Sequence, residues 1–415
     1  MKALQVHPAG HFLQWEDGAP FFYLADTGWT MLARLDRDEI DFYLGERAAK
    51  GFNVVQTMGI IEFDGLHKPN REGHVPLHND DPMTPNAAYW EICDYAIERA
   101  AQLGIVLAIV PTWGDKWNKA WGVGPEIFTP QNAFAYGQWL GQRYAEQTVI
   151  WLLGGDRPFL TEDHREITRQ MARGIQSGDG GRNLISIHPA GHESSSLHFH
   201  DEDWLAFSMW QSGHHYFDEI VHKFIEWDYN RKPAKPVLDG EPCYEEHPAW
   251  KMAMDPKPYF TDYEVRKAIY RAVFAGACGA AYGANGVFQN HVEGLPLGFG
   301  VRQEWRAALD LPGSSQMQFL RRLIESKPFF SRVPRPDLIE NDRLHATGDA
   351  KGSFALIYLP GGGKVEVKTE LLQNPLRCEW FDPRTGAQTR SETPNDGVFE
   401  APDHRDWVFS LNSDL

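Results

Sequence analysis

Val149–Pro158 reads VIWLLGGDRP. Five apolar residues in a row, with no polar alternate, run straight into Gly154-Gly155-Asp156. Such a run is too short for a helix and has no wet face, so it suits a strand buried on both sides, as in a parallel sheet. Seven more runs share the pattern: Phe21–Ala25 (FFYLA), Asn53–Met58 (NVVQTM), Ile105–Pro111 (IVLAIVP), Leu184–His188 (LISIH), Leu205–Gln211 (LAFSMWQ), Pro236–Asp239 (PVLD) and Gly279–Gly283 (GAAYG). Helical patterns fill the gaps. Asp36 and Glu39 form a capping box before Ile40, Tyr43, Leu44 and Ala48, and Gly51 closes that helix. Thr261 and Glu264 form another before Val265, Ala268, Ile269 and Ala272, while Ile92, Tyr95, Ala96, Ala100 and Leu103 share one helical face. Eight strands alternating with helices imply an α/β chain built as a (β/α)8 TIM barrel. A doubly wound open sheet is the competing architecture, but no GxGxxG follows the first run.

The pattern changes after about Lys327. Ser353–Leu359, Lys364–Lys368, Arg377–Phe381 and Asp406–Leu411 are short alternating runs, with turns at Gly361-Gly-Gly363, Pro383–Gly386 and Pro394–Gly397. The expected division is a barrel over residues 1–327 and a small antiparallel β domain over residues 328–415.

Composition narrows the function. Forty Lys and Arg against 57 Asp and Glu leave a net charge of −17. With no basic cluster, nucleic acid and anionic membrane surfaces are poor partners. No apolar run approaches the ~20 residues that span a bilayer. The N-terminus lacks the apolar core of a secretory signal, and Cys93, Cys243, Cys278 and Cys378 show no CxxC spacing, so reduced thiols in the cytoplasm are expected. A chain trimmed of its signal would read the same. Oligomeric state leaves no mark on the sequence.

In such a barrel the active site lies at the C-terminal ends of the strands. Two carboxylates stand there between glycines and turns: Asp156 after VIWLLGG and Glu241 after PVLDG. A pair of opposed carboxylates is what glycoside hydrolysis needs, one to protonate the leaving oxygen and one to attack or to activate water. Equally, either could accept backbone N–H bonds in a loop. Asp239 faces the same side as Glu241 along a strand, as a neighbour that perturbs it or as a partner of a basic residue. Asp26, Gln56, His188, Gln211, His214, Tyr244 and Tyr282 sit at or just past strand ends and are expected to bind substrate, with Trp29 and Trp113 as stacking platforms. The histidines invite a metal reading, yet the HxH on strand one and the Asp on strand eight used by metal-dependent barrel hydrolases are missing. No metal or organic cofactor is therefore expected.

Several segments together carry a resemblance: PFFYLADTGW (Pro20–Trp29), ERAAKGFNVVQ (Glu46–Gln56), VPTWGDKWN (Val110–Asn118), VIWLLGGDRP, HPAG (His188–Gly191), WQSGH (Trp210–His214), VLDGEPCYE (Val237–Glu245), VFAGACGAAYGANGVF (Val273–Phe288) and FDPRTG (Phe381–Gly386). In order and from about residue 4 to 411, the chain resembles the apiosidase-like group, glycoside hydrolase family 140. The resemblance implies a catalytic (β/α)8 barrel followed by a C-terminal β-sandwich. It also implies hydrolysis of a glycosidic bond in a plant cell-wall glycan, an apiosyl linkage in rhamnogalacturonan II being the activity associated with the family. The family's catalytic carboxylates fall on GGD and GEP, here Asp156 and Glu241. Position further suggests Asp156 as acid/base and Glu241 as nucleophile in a retaining reaction. Two other classes remain open: a non-catalytic carbohydrate-binding protein on a barrel scaffold, and a metal-dependent barrel hydrolase.

Overall fold

A computed structural model describes residues 1–413 except 216–219, 251–255, 297, 342, 375 and 392–396. The N-terminus forms an antiparallel ribbon of β1 (Leu4–Val6), β2 (Leu13–Trp15) and β3 (Pro20–Phe21). Eight parallel barrel strands follow: β4 (Tyr23–Thr27), β5 (Val54–Ile60), β6 (Val106–Thr112), β7 (Val149–Gly154), β8 (Leu184–His188), β9 (Ser208–Trp210), β10 (Val237–Asp239) and β11 (Gly279–Tyr282). Six of them pair in the order β11-β4-β5-β6-β7-β8, and β9 pairs with β10. Two thin seams close the ring. At one, Ala206 N donates to Ile185 O at 2.8 Å; at the other, Cys278 N donates to Val237 O at 2.8 Å.

Strand alternation sorts the core into two layers. Tyr23, Ala25, Val54, Met58, Val106, Ala108, Ile150, Leu152, Met209 and Leu238 fill the lumen. Leu24, Val55, Leu107, Ile109, Trp151, Leu153 and Ile187 face the helices. The ribbon, absent from the sequence reading, has a role in this: Leu4, Leu13 and Phe21 join the lumen cluster, so they plug the barrel at the strands' N-terminal end. Both expected capping boxes form, Asp36/Glu39 ahead of the helix Arg37–Ala49 and Thr261/Glu264 ahead of Asp262–Phe274.

After the helix Pro312–Glu325, strands β12 (Arg332–Pro334), β13 (His345–Asp349), β14 (Phe354–Leu359), β16 (Leu376–Phe381), β17 (Gln388–Ser391) and β19 (Trp407–Ser413) form one antiparallel sheet, ordered β12-β13-β14-β19-β16-β17. A second ribbon, β15 (Lys364–Glu366) with β18 (Val398–Glu400), covers one face across Ile357, Val365, Trp380, Phe399 and Phe409. Four of these strands, β12, β13, β17 and β18, carry too little alternation to show in sequence. Of the expected turn at Pro394–Gly397, residues 394–396 lie outside the described residues. The other face packs on the barrel. Arg266, on the helix Asp262–Phe274, donates from Nε and Nη2 to the two oxygens of Asp406 at 2.6 and 2.7 Å. Arg332 reaches back to the carbonyls of Val273 and Ala277, each at 2.6 Å.

Candidate active site

The β7 end is shaped by backbone. Gly154 and Gly155 have φ of 91° and 97°, and Cβ atoms there would stand 2.5 Å from His188 O and 2.6 Å from Gly114 N. Asp156 continues the bend with φ of 52°, a left-handed conformation that Asp tolerates better than most residues. The turn presents the Asp156 side chain, 26% exposed, to a pocket. Burial and then the charge of Glu241 push its carboxyl from the ordinary 3.8 up to about 7, against the opposing pull of Arg157 and His188.

Glu241 lives in different surroundings. Gly240 packs beneath it against Met209, and its carboxylate accepts from His188 Nε2 at 2.8 Å and from His214 Nε2 at 3.0 Å. His214 Nδ1 accepts the Tyr244 N–H at 3.3 Å, which leaves the proton on Nε2 to donate to Glu241. Burial by itself would raise Glu241, but the two imidazole hydrogen bonds outweigh it and hold the carboxyl well below the usual range. One pocket of about 460 Å³ therefore holds a carboxyl pushed up to about 7 and a carboxylate held well below the usual range.

Trp29, Trp113, Gln211, His214 and Tyr244 line this pocket with the two carboxylates. His188 lies just behind Glu241, clasped between Trp29 and Trp113 with ring centroids 5.0 and 5.4 Å away. The two tryptophans are only 3% and 5% exposed, and Trp29 Nε1 donates to the Tyr244 hydroxyl at 3.0 Å. They brace the site more than they present open faces. Exposed rings stand at the mouth instead: Trp121, Trp250 and Phe299.

Three expected residues are elsewhere. Asp26 falls on the outer side of β4, where it accepts from Tyr43 OH at 2.5 Å and lies 3.6 Å from Arg47; it is the lattice of a strand–helix contact, not a pocket wall. Tyr282 likewise turns outward on β11 and donates to Glu245 at 2.7 Å. Gln56 does face the lumen, but one layer below the pocket, between Tyr23 OH at 3.1 Å and Gly240 O at 2.9 Å. Asp239 takes two hydrogen bonds from Ser212, at 3.2 Å from N and 2.6 Å from Oγ, so its partner is a serine and not a base.

The pocket also contains residues outside the expected set. Glu62 hydrogen-bonds Arg157; Glu193, His215 and His247 come from loops, and Phe288 from the short helix Asn285–Phe288. Glu62 lies just past the β5 end and could have been picked by position; the loop residues carry no periodic signal. Among the described residues, no group of three or more His, Cys, Asp or Glu is placed to hold a metal ion, and no helix is long and apolar enough to cross a membrane. All four cysteines are buried thiols. A larger cleft, about 830 Å³ between the helix Val221–Tyr229 and the C-terminal domain, is lined by no residue of the barrel strands.

Residues 7–331 match the family model described as "Apiosidase-like, catalytic domain". The chain belongs to the apiosidase-like family. Residues 333–412 of this apiosidase-like chain match a second model, "Putative collagen-binding domain of a collagenase". Among solved structures, it is similar to a glycoside hydrolase family 5 protein from Bacteroides vulgatus ATCC 8482, with 29% identity, a TM-score of 0.88, and coverage of 99% of this chain and 93% of that one. A protein titled "Glycoside hydrolase" aligns at 28% identity and a TM-score of 0.89, covering 100% of this chain and 97% of the other. A more distant structure, also from Bacteroides vulgatus, shares the fold at 15% identity and a TM-score of 0.70. No curated protein matches. The apiosidase-like chain thus has a glycoside-hydrolase barrel with an antiparallel strand domain behind it.

Proposed function

We propose that this chain is a retaining glycosidase in which Glu241 is the nucleophile and Asp156 the acid/base. The observation that carries the reading is the contrast between two carboxyls in one pocket: Glu241 sits on two imidazole nitrogens, while Asp156 has a single long guanidinium contact at 3.3 Å. Glu241, ionised between His188 and His214, would attack the anomeric carbon. As the glycosidic C–O bond breaks, Asp156 passes its proton to the departing oxygen. The product of this half is a glycosyl ester on Glu241 and ionised Asp156. Water then enters; Asp156 takes its proton, the hydroxyl adds to the anomeric carbon, and Glu241 leaves as carboxylate. One water is consumed and both carboxyls return to their starting states. Burial beside Trp29 and Trp113 keeps the charges strong by excluding solvent.

The substrate we propose is an apiosyl linkage in a plant cell-wall glycan, with the chain placed in glycoside hydrolase family 140. The match of residues 7–331 to the apiosidase-like catalytic model supports that choice. The test is hydrolysis of a panel of aryl and alkyl apiosides, rhamnogalacturonan II fragments and aryl pyranosides, with the first-formed anomer read by NMR. Release of apiose with retained configuration is expected. Binding without release would instead favour a carbohydrate-binding protein, and an inverted product would remove the nucleophile assignment.

A further inference from the structure

Arg157 follows the acid directly, is fully buried, and has every opportunity to spoil it. A guanidinium that closes on a carboxylate with both arms holds it ionised. The domain interface shows what that looks like, where Arg266 grips both oxygens of Asp406 at 2.6 and 2.7 Å. Arg157 does not do this to Asp156. Its Nη1 donates to the Asp156 backbone carbonyl at 2.7 Å and reaches the nearer carboxyl oxygen only at 3.3 Å. Its Nη2 is committed to Glu62 Oε1 in a short hydrogen bond. Its plane lies on Trp121, 4.6 Å from the ring centroid.

We infer that Glu62 is a positioning residue for the acid: by holding the Nη2 arm of Arg157, it keeps the guanidinium from closing on the Asp156 carboxyl. The inference rests on Asp156 being the acid. It adds a function to a pocket-lining carboxylate that would otherwise be taken for a sugar ligand. Without Glu62 the Nη2 arm is released, and the guanidinium, already 3.3 Å from the carboxyl through Nη1, is free to turn toward it. Charge works in the same direction as geometry, because the Glu62 carboxylate also repels the ionised form of Asp156. The other groups facing Asp156 are Glu241, which favours its proton, and His188, which opposes it; Glu193, His214, His215 and His247 share the same pocket. None of these holds Arg157.

The decisive experiment is a carbon-13 NMR titration of the Asp156 carboxyl in the whole protein, with pH–rate profiles on 4-nitrophenyl and phenyl apiosides. In Glu62→Ala the Asp156 midpoint is expected to fall by about one pH unit or more, and in Glu62→Gln, which still accepts from Nη2 but has no charge, by less. The alkaline limb on the phenyl apioside should move with it, costing about fivefold or more in kcat near pH 7, while the 4-nitrophenyl apioside, which needs little protonation, loses little. Adding Arg157→Gln to Glu62→Ala should restore most of the midpoint. An unmoved or raised midpoint would overturn the inference, as would a rise in KM with an unchanged pH profile, which marks a sugar ligand. Should Asp156→Ala keep full activity on the phenyl apioside, it is the acid assignment that fails, and the NMR midpoint still reports on Glu62 independently.

Discussion

The ends of β7 and β10 each present one carboxyl to the same pocket and treat it in opposite ways. At β10, two imidazole N–H groups converge on Glu241 and hold its negative charge. At β7, a left-handed turn carries Asp156 into the pocket wall, partly buried, where it meets one deflected guanidinium and a like charge across the pocket. Hydrogen-bond donors decide the first and their scarcity decides the second. Two residues of nearly equal intrinsic acidity are thereby shifted in opposite directions, by environment alone.

The strongest way to break this comparison is to remove the ionised partner. Glu241→Gln is expected to lower turnover by about 10⁴-fold or more, whatever the leaving group. A variant that keeps substantial activity on the 4-nitrophenyl substrate would show that Glu241 is not the nucleophile.

Asp156→Asn should lose ~10²–10⁴-fold on poor leaving groups and far less on good ones. It also carries a stability signature whose sign follows from the raised value. The folded state holds the Asp156 proton up to about 7, the unfolded chain only to the ordinary 3.8, so its contribution is full below the unfolded value and is lost as pH rises through the folded one. The asparagine keeps the neutral form, so its melting temperature should exceed that of the wild type at ~pH 8 and match it at ~pH 4. A variant no more stable than wild type at the higher pH would mean that Asp156 ionises freely.

Reducing the donors at Glu241 is a finer probe. A hydrogen bond to a charged group contributes about 1.5–3 kcal/mol, equivalent to about one to two pH units. His214→Ala should therefore move the acid limb of the pH–rate profile upward by that amount and leave the alkaline limb in place. Movement of both limbs would show that the two carboxyls are not tuned separately.

The control lies at the domain interface. Asp406→Asn removes one partner of a buried ion pair and is expected to cost ~3 kcal/mol of stability, read as a lower melting temperature. The pH–rate profile should not change. A shift there would mean that the pocket's protonation depends on how the C-terminal domain sits.

What the sequence reveals and what it hides follow from the same periodicities. Continuous apolar runs locate all eight barrel strands, because a strand covered on both faces has no polar alternate to blur it. Position at a strand end also singles out Asp156 and Glu241, which the structure brings into one pocket. The facing of a residue is harder, since a shift of one position turns it to the other side. Asp26 and Tyr282 look like pocket residues in the strings YLADTGW and AAYG, yet each sits one step out of phase and pairs with Tyr43 or Glu245 outside the barrel. Thr27, not Asp26, faces inward beside Gln56. Glu193, His247 and Phe299 are hidden for another reason: long loops deliver them, and nothing local in a loop states where its tip will rest.

The division of protons between β7 and β10 is most directly tested by carbon-13 NMR of the two side-chain carboxyls across pH, in the wild type and in Glu241→Gln. The account predicts an Asp156 midpoint near 7 that drops when the Glu241 charge is removed, and a Glu241 signal that stays ionised well below the usual carboxylate range. An Asp156 midpoint at the ordinary 3.8, or a Glu241 that carries the proton at neutral pH, would contradict it.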